Sequence, residues 1–158
     1  MTQDQSLREQ LTYLLAGGGA HVGFDAALAG LPPALRGIRP SGLPHTPWEL
    51  LEHMRIAQSD ILEFTRKPKH VSPPWPAGYW PPTQTPPDDT AWDKSIKAFR
   101  ADLAAIRRMV KDPKVNLHAP LPHGTGQTVL REVLLTADHT AYHLGEMILV
   151  RRLLGAWK

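Results

Sequence analysis

Three histidines have the spacing that a metal site requires. His139 and His143 are four residues apart, so on a helix their imidazoles would lie about 40° apart and one turn along the axis. Two imidazoles in that arrangement can reach a single metal ion. His53, far upstream, is the candidate for a third ligand. Three neutral imidazoles would leave coordination positions open for water or substrate, and this ligand type suits Zn, Ni, Fe or Mn.

The two closely spaced histidines are predicted to lie in the middle of a long C-terminal helix. The stretch between Thr128 and Gly155 contains no proline, and its apolar residues recur near the helical period. Thr128 suits the N-cap position and Gly155 the stop. His139 and His143 would therefore lie where the core of a helix bundle would be.

His53 is predicted to lie two turns into a separate helix. Thr46 fits the N-cap of this helix, Pro47 its first position and Glu49 the reciprocal position of a capping box. The helix is expected to end before Pro68, and His53 lies on or beside its apolar stripe. Together the two helices could present three imidazole nitrogens to one ion.

Two further helices are predicted, and no stretch shows the alternation of a strand. Residues 6–16 form the first helix, which three glycines interrupt before the chain resumes helically over residues 21–31. The third long helix begins at Asp89 or Thr90 and runs to about Lys111. The order of these elements indicates an all-α fold, a four-helix bundle in a single domain over residues 1–158.

A proline-rich segment separates the second and third helices. Residues 67–88 contain half of the 16 prolines of the chain, which excludes a helix or a central strand there. The segment could be a disordered linker, but its three large aromatics, Trp75, Tyr79 and Trp80, favour packing onto the bundle. We expect an ordered crossover between distant ends of the bundle.

Composition excludes several functions. The chain of 158 residues has a net charge of +3 with scattered basic residues, which argues against a nucleic-acid partner. It contains no cysteine, so disulfides, thiolate metal sites and a cysteine nucleophile are excluded. No apolar run approaches membrane-spanning length, and the polar N-terminus lacks an apolar signal region. A soluble cytoplasmic protein without a membrane partner is expected.

Carboxylates near the histidines are candidates to orient them. Metal-bound imidazoles usually donate their second N–H to a nearby acceptor, and four acidic residues are close in sequence: Glu49, Glu52, Asp138 and Glu146. Glu146 lies three residues after His143. It could serve as a fourth ligand or as the general base of a catalytic site, or it could simply pair with a nearby arginine.

The other five histidines are less informative. His45 and His123 lie at predicted helix starts, where they would line the mouth of a pocket or remain exposed in loops. The same alternatives hold for His21. His70 and His118 are expected at the surface.

This arrangement resembles the DinB superfamily of DinB/YfiT-like metalloenzymes. The resemblance rests on TPWELLEH at residues 46–53, HLGE at residues 143–146 and LVRRLLG at residues 149–155, and it covers nearly the whole chain. It implies a four-helix bundle with a crossover after the second helix, and a divalent metal held by His53 and the later histidine pair. It also implies a homodimer, as many relatives form. Some relatives are thiol S-transferases that use low-molecular-weight thiols, and others are called metal-dependent hydrolases.

Three classes of function remain open on these grounds. The first is a metal-dependent transferase or hydrolase acting on a small molecule, with a thiol supplied as cosubstrate because the chain has no cysteine. The second is a metal-binding protein without turnover, and the third is a structural bundle. For an enzyme, we expect a pocket between the second and last helices near His45 and His123, with crossover aromatics as its wall.

The final helix also favours a homodimer. It is apolar over much of its circumference, at Leu144, Met147, Ile148, Leu149, Val150, Leu153 and Leu154. One bundle core normally buries a stripe of only about 100°. The competing explanation is that the crossover aromatics cover the remainder.

Overall fold

A computed structural model describes residues 1–17 and 19–157, and in this part of the chain it is all-helical, as predicted. It has no β-strand over these residues; a lone bridge joins Pro120 to Thr128. The five α-helices are α1 (Gln3–Ala16), α2 (Phe24–Leu28), α3 (Pro47–Arg66), α4 (Ala91–Lys111) and α5 (Val129–Leu153). Short 3₁₀ turns occur at Pro33–Leu35 and Ala77–Tyr79. Of the predicted glycine break after α1, Gly18 lies outside the described residues.

The predicted start of α3 is confirmed in detail. The Thr46 hydroxyl accepts a hydrogen bond from the Glu49 N–H at 3.1 Å, and the Glu49 carboxylate accepts one from the Thr46 N–H at 2.7 Å. This capping box satisfies two N–H groups that the first turn would leave free. His53 consequently lies two turns into the helix, as the sequence indicated.

The ends of α5 also follow the prediction. The Thr128 hydroxyl accepts from the Arg131 N–H at 3.1 Å, and Gly155 adopts a φ of 69° just beyond the last turn. The helix predicted over residues 21–31 is shorter than expected. It spans only Phe24–Leu28, because Gly30 takes a φ of 68° that turns the chain away.

The four long helices pack side by side and enclose two apolar clusters. Helix α3 contacts α4 and α5, helix α1 contacts the same two helices, and α2 packs on α5. One cluster joins α2 to the first halves of α3 and α4 and the last half of α5. The other joins α1 to the last halves of α3 and α4 and the first turns of α5. Between the clusters, several polar side chains are buried along α3 and α5: His53, Gln58, Thr136 and His143.

The proline-rich segment between α3 and α4 lies against α3. The Trp48 indole N–H donates to the Thr83 hydroxyl at 3.3 Å, and the Thr46 hydroxyl donates to the Gln84 carbonyl at 2.8 Å. Trp80 packs against the first apolar cluster, in line with the expected packing. Trp75 is 79% exposed, so the expectation that all three aromatics pack onto the bundle is wrong for this residue.

Candidate metal centre

The structure brings the three predicted histidines together between α3 and α5. One ring nitrogen from each of His53, His139 and His143 lies within 4.8 Å of the other two. The Nε2 atoms of His53 and His139 are 3.0 Å apart. Two nitrogens bonded to one ion at about 2.0–2.1 Å and at right angles would lie about 3 Å apart. The spacing of this pair therefore suits two ligands of a single transition-metal ion.

Two of the imidazoles are oriented through their Nδ1 atoms. His53 Nδ1–H donates to the backbone carbonyl of Tyr79 at 2.8 Å, and His143 Nδ1–H donates to the Glu146 carboxyl at 2.5 Å. With the proton held on Nδ1, each ring keeps a lone pair on Nε2. Outer partners of this kind fix the tautomer and the ring orientation of metal-binding histidines.

Burial keeps the three imidazoles neutral. Burial, with the neighbouring His143 and His53, lowers the pKa of His139 to about 4. Burial, with His53 and His45, likewise lowers the pKa of His143 to about 4, and burial lowers the pKa of His53 below its ordinary value. Neutral imidazole is the form that binds a metal ion. The donor set therefore fits a divalent transition metal at neutral pH.

Trp80 covers one side of the histidine cluster. Its indole stacks on His53 with ring centroids 3.9 Å apart and planes 5° apart. The Trp80 indole also stacks on His45, with ring centroids 3.9 Å apart and ring planes 16° apart. The sequence predicted crossover aromatics beside a pocket near His45, but it did not single out Trp80, because the proline-rich segment has no periodicity that would orient its side chains.

The candidate carboxylates have different partners. Glu146 is the acidic residue that contacts the cluster, and burial raises its pKa. Its side chain makes no ion pair with an arginine among the described residues, so the alternative role as an arginine partner is wrong there. Glu49 belongs to the capping box and also binds Arg39, whereas Glu52 binds Arg55.

The remaining histidines occupy different parts of the molecule. His45 stacks at the N-terminal side of the cluster, as a pocket residue would. His123 donates from Nε2 to the carbonyl of Phe64 at 2.7 Å, at the C-terminal end of α3. About 16 Å of helix separates Phe64 from His53, so His45 and His123 do not share one pocket mouth. His118 and His21 are exposed.

His70 corrects the surface expectation and reveals a network that the sequence did not suggest. Its Nε2 lies 2.6 Å from one carboxylate oxygen of Asp60, and the Tyr79 hydroxyl donates to the other at 2.6 Å. Burial, together with Asp60, raises the pKa of Tyr79 to about 12, so this hydroxyl remains a donor at neutral pH. The sequence contains one signal for this network: Asp60 follows His53 by seven residues and therefore lies on the same face of α3.

Two cavities differ in their relation to the histidines. A cavity of about 500 Å³ lies among α1, α2, α4 and α5, is mostly apolar, and is lined by none of the three histidines. A cavity of about 40 Å³ lies between α3 and α5 and is lined by His45 and Glu146. The cavity beside His45 and Glu146, where the sequence predicted a substrate pocket, is therefore small.

The fold and the site define a helical protein with a three-histidine cluster suited to a divalent metal. A family model of the DinB superfamily matches residues 20–147, so the chain belongs to the DinB superfamily. Searches of curated proteins and of solved structures gave no significant match. Among the described residues, the helices are too short or too polar for any of them to cross a membrane.

Proposed function

We propose that this protein is a metal-dependent enzyme in which His53, His139 and His143 hold one divalent transition-metal ion. The observation that carries the proposal is the convergence of three neutral imidazole nitrogens within 4.8 Å. Membership of the DinB superfamily supports the same reading. Zn, Ni, Fe and Mn all suit an imidazole donor set.

The surrounding residues would prepare the site for the ion. The Tyr79 carbonyl and the Glu146 carboxyl hold the Nδ1 protons of His53 and His143, which leaves both Nε2 atoms free. Trp80 shields the face of His53 from water. Glu146 also lines the small cavity next to His45, and we assign it proton transfer as its catalytic role.

The reaction is proposed to be transfer of a thiol to a small electrophilic molecule, with hydrolysis as the other outcome of the same site. A bound divalent ion would lower the pKa of a coordinated thiol or water and so supply a nucleophile near neutral pH. The chain has no cysteine, so a thiol nucleophile must come from a low-molecular-weight cosubstrate. Transfer is preferred on the resemblance to DinB relatives.

The metal site is tested by removing one ligand. Purified wild-type protein is expected to carry close to one divalent transition-metal ion per chain, measured by inductively coupled plasma mass spectrometry. His143→Ala should lose the ion, and His118→Ala, an exposed control, should retain it. Equal metal content in wild type and in His53→Ala/His143→Ala would overturn the proposal.

The reaction is tested with metal-loaded protein, a panel of low-molecular-weight thiols and an electrophilic dye, with water alone as the control. Turnover with a thiol indicates transfer, and turnover with water indicates hydrolysis. Both should disappear on chelation and in His143→Ala. A rate equal to that of His143→Ala under every condition would refute catalysis on this panel.

A metal-binding protein without turnover is the second candidate. One observation favours it: the cavity of about 500 Å³ is not lined by the histidines, and the cavity beside Glu146 is only about 40 Å³. Small-molecule sites usually occupy 300–1,000 Å³. One bound ion per chain together with no turnover would select this candidate over the enzyme.

We further infer the fold that the family resemblance implies. Helices α1, α3, α4 and α5 would form a four-helix bundle in a single domain, with residues 67–88 in its crossover. The pairwise packing of α3 and α1 on both α4 and α5 supports this arrangement.

A further inference from the structure

Asp60 holds the proline-rich segment against α3 close to the histidine cluster. Its two carboxylate oxygens accept from different residues of that segment, His70 and Tyr79, each at 2.6 Å. The side chains of Asp60 and His70 are only 11% and 18% exposed. Hydrogen bonds to a carboxylate that is largely withdrawn from water are stronger than their solvent-exposed counterparts.

Tyr79 connects this carboxylate to the candidate metal site through its two ends. Its hydroxyl donates to Asp60, while its backbone carbonyl accepts the Nδ1 proton of His53. The next residue, Trp80, stacks on the same imidazole. Asp60 and His53 lie about 10 Å apart along α3, so Tyr79 spans the interval between them.

Apart from the stacking of Trp80 between His53 and His45, the Asp60 contacts are the side chain–side chain hydrogen bonds that join residues 70–80 to α3. The backbone hydrogen bonds of residues 70–80 connect residues within four positions of one another: Lys67 to His70, Pro74 to Gly78, Pro76 to Tyr79 and Ala77 to Trp80. The contacts of Thr83 and Gln84 with α3 lie further along, near its first turn. Besides its packing, the position of the Tyr79 carbonyl therefore depends on the Asp60 contacts.

We propose that Asp60, with its partners His70 and the Tyr79 hydroxyl, is a positioning residue for His53. By fixing the Tyr79 carbonyl, it holds the His53 proton on Nδ1 and aims Nε2 at His139. The consequence for metal affinity rests on the metal site proposed above. The consequence for the His53 tautomer does not, because the hydrogen bond to Tyr79 involves protein atoms alone.

The first test reads the tautomer in metal-free protein by ¹⁵N NMR of the histidine rings. Wild-type His53 should be protonated on Nδ1, whereas Tyr79→Phe and Asp60→Asn should give a mixture of both tautomers. Tyr13→Phe, at an exposed tyrosine, and Asp102→Asn, at a partly buried aspartate of α4, are the matched controls. An unchanged His53 tautomer in both folded variants would overturn the proposal, whether or not the protein binds metal.

The second test measures Zn²⁺ affinity by competition with a chromogenic chelator. Loss of an outer partner typically costs 10–100-fold in metal affinity. Asp60 acts on such a partner, the Tyr79 carbonyl, only indirectly, so Asp60→Asn should bind about 10-fold more weakly than wild type, at the lower end of that range. In a His53→Ala background the same substitution should have no further effect, since it acts through His53. An equal loss in both backgrounds would show a general structural defect and refute the positioning role.

The two tests separate the failure of this proposal from the failure of the proposed function. Wild-type protein that binds none of Zn²⁺, Ni²⁺, Fe²⁺ and Mn²⁺ would refute the metal site, while the tautomer measurement would still decide the role of Asp60. Wild-type binding with unchanged affinity in Asp60→Asn would refute the positioning role and leave the metal site intact. Circular dichroism of each variant checks that the helices are retained.

Discussion

The histidine cluster should make the metal-free protein sensitive to acid. The pKa values of His139 and His143 are about 4 in the folded protein, against 6.5 for an ordinary imidazole. Between these values the unfolded chain binds more protons than the folded one, so stability must fall as the pH falls from 6.5 to 4. One pKa unit corresponds to about 1.4 kcal/mol, so the two histidines set an upper limit of about 7 kcal/mol. Because part of each lowering comes from a neighbouring histidine that must itself be charged, we expect a smaller loss of roughly 2–4 kcal/mol.

Urea unfolding of the metal-free protein at several pH values between 4 and 7 measures this dependence. His143→Ala removes one of the titrating groups, so its stability should change less over the same range. His118→Ala should follow the wild type. A wild-type free energy of unfolding that stays constant from pH 6.5 to pH 4 would contradict the low pKa values.

At the level of single residues, the histidine cluster and its contact with Glu146 were predictable, whereas the contacts from the proline-rich segment were not. The spacing of His139 and His143 on one helix, with His53 on another, is enough to single them out. The crossover aromatics were expected beside the pocket, but their segment has no periodicity because of its prolines. The sequence therefore does not indicate that the Trp80 indole and the Tyr79 carbonyl are the groups that reach the site. His70 looked like a surface residue because its partner, Asp60, lies on a different element.

The ends of α3 and α5 were predictable because capping is a local interaction. The Thr46 capping box, the Thr128 cap and the Gly155 stop depend on residues within a few positions of one another. Helix α2 was predicted too long because the apolar residues of that stretch were given more weight than Gly30, which turns the chain. Long-range contacts that hold elements together carry no such local signal, and Arg151 is the clearest case.

Arg151 fastens the end of α5 to α2. It is buried, and its guanidinium donates to the carbonyls of Ala27, Ala29 and Ala156 at 2.5–2.9 Å. Arg152 follows immediately and is exposed, yet the two arginines are indistinguishable in the sequence. Burial lowers the pKa of Arg151 because the charged guanidinium loses its hydration. The three carbonyl contacts offset this loss.

Substitution of Arg151 and substitution of Arg152 should have very different effects on the free energy of unfolding. Arg151→Gln leaves buried carbonyls without donors and should lower the free energy of unfolding by about 2–4 kcal/mol. Arg152→Gln should change it by no more than about 0.5 kcal/mol. Urea denaturation of both variants under one set of conditions measures the difference. Equal stabilities would show that the Arg151 contacts contribute nothing net.

On the scale of the whole molecule, the candidate metal centre lies between two apolar clusters. Leu103 is partly buried and packs against both of them, so the clusters are continuous on the α4 side and separated by polar side chains between α3 and α5. Polar groups buried between the two clusters require hydrogen-bond partners. The Tyr79 and Glu146 contacts supply partners for two of the histidines, which links the packing of the molecule to the geometry of its site.

The surface of α5 bears on the expected homodimer. Part of the apolar circumference of α5, including Leu144 and Met147, is buried within the chain itself. A stripe of large apolar side chains nevertheless remains exposed at Leu135, Tyr142, Leu149 and Leu153. Their spacing of seven, seven and four residues places them along one side of the helix, and the proline-rich segment leaves them exposed.

We therefore expect a homodimer through this stripe, because clustered exposed apolar side chains on one helix favour burial against a second copy. Sedimentation velocity at micromolar concentrations should show a dimer that dissociates on dilution. Leu149→Lys/Leu153→Lys should be monomeric, since each lysine would place a charge in the interface. Val71→Lys, at an apolar residue of the proline-rich segment that is 86% exposed, should remain dimeric. A wild-type monomer with no dependence on concentration would rule out the dimer and leave the stripe as ordinary solvent-exposed surface.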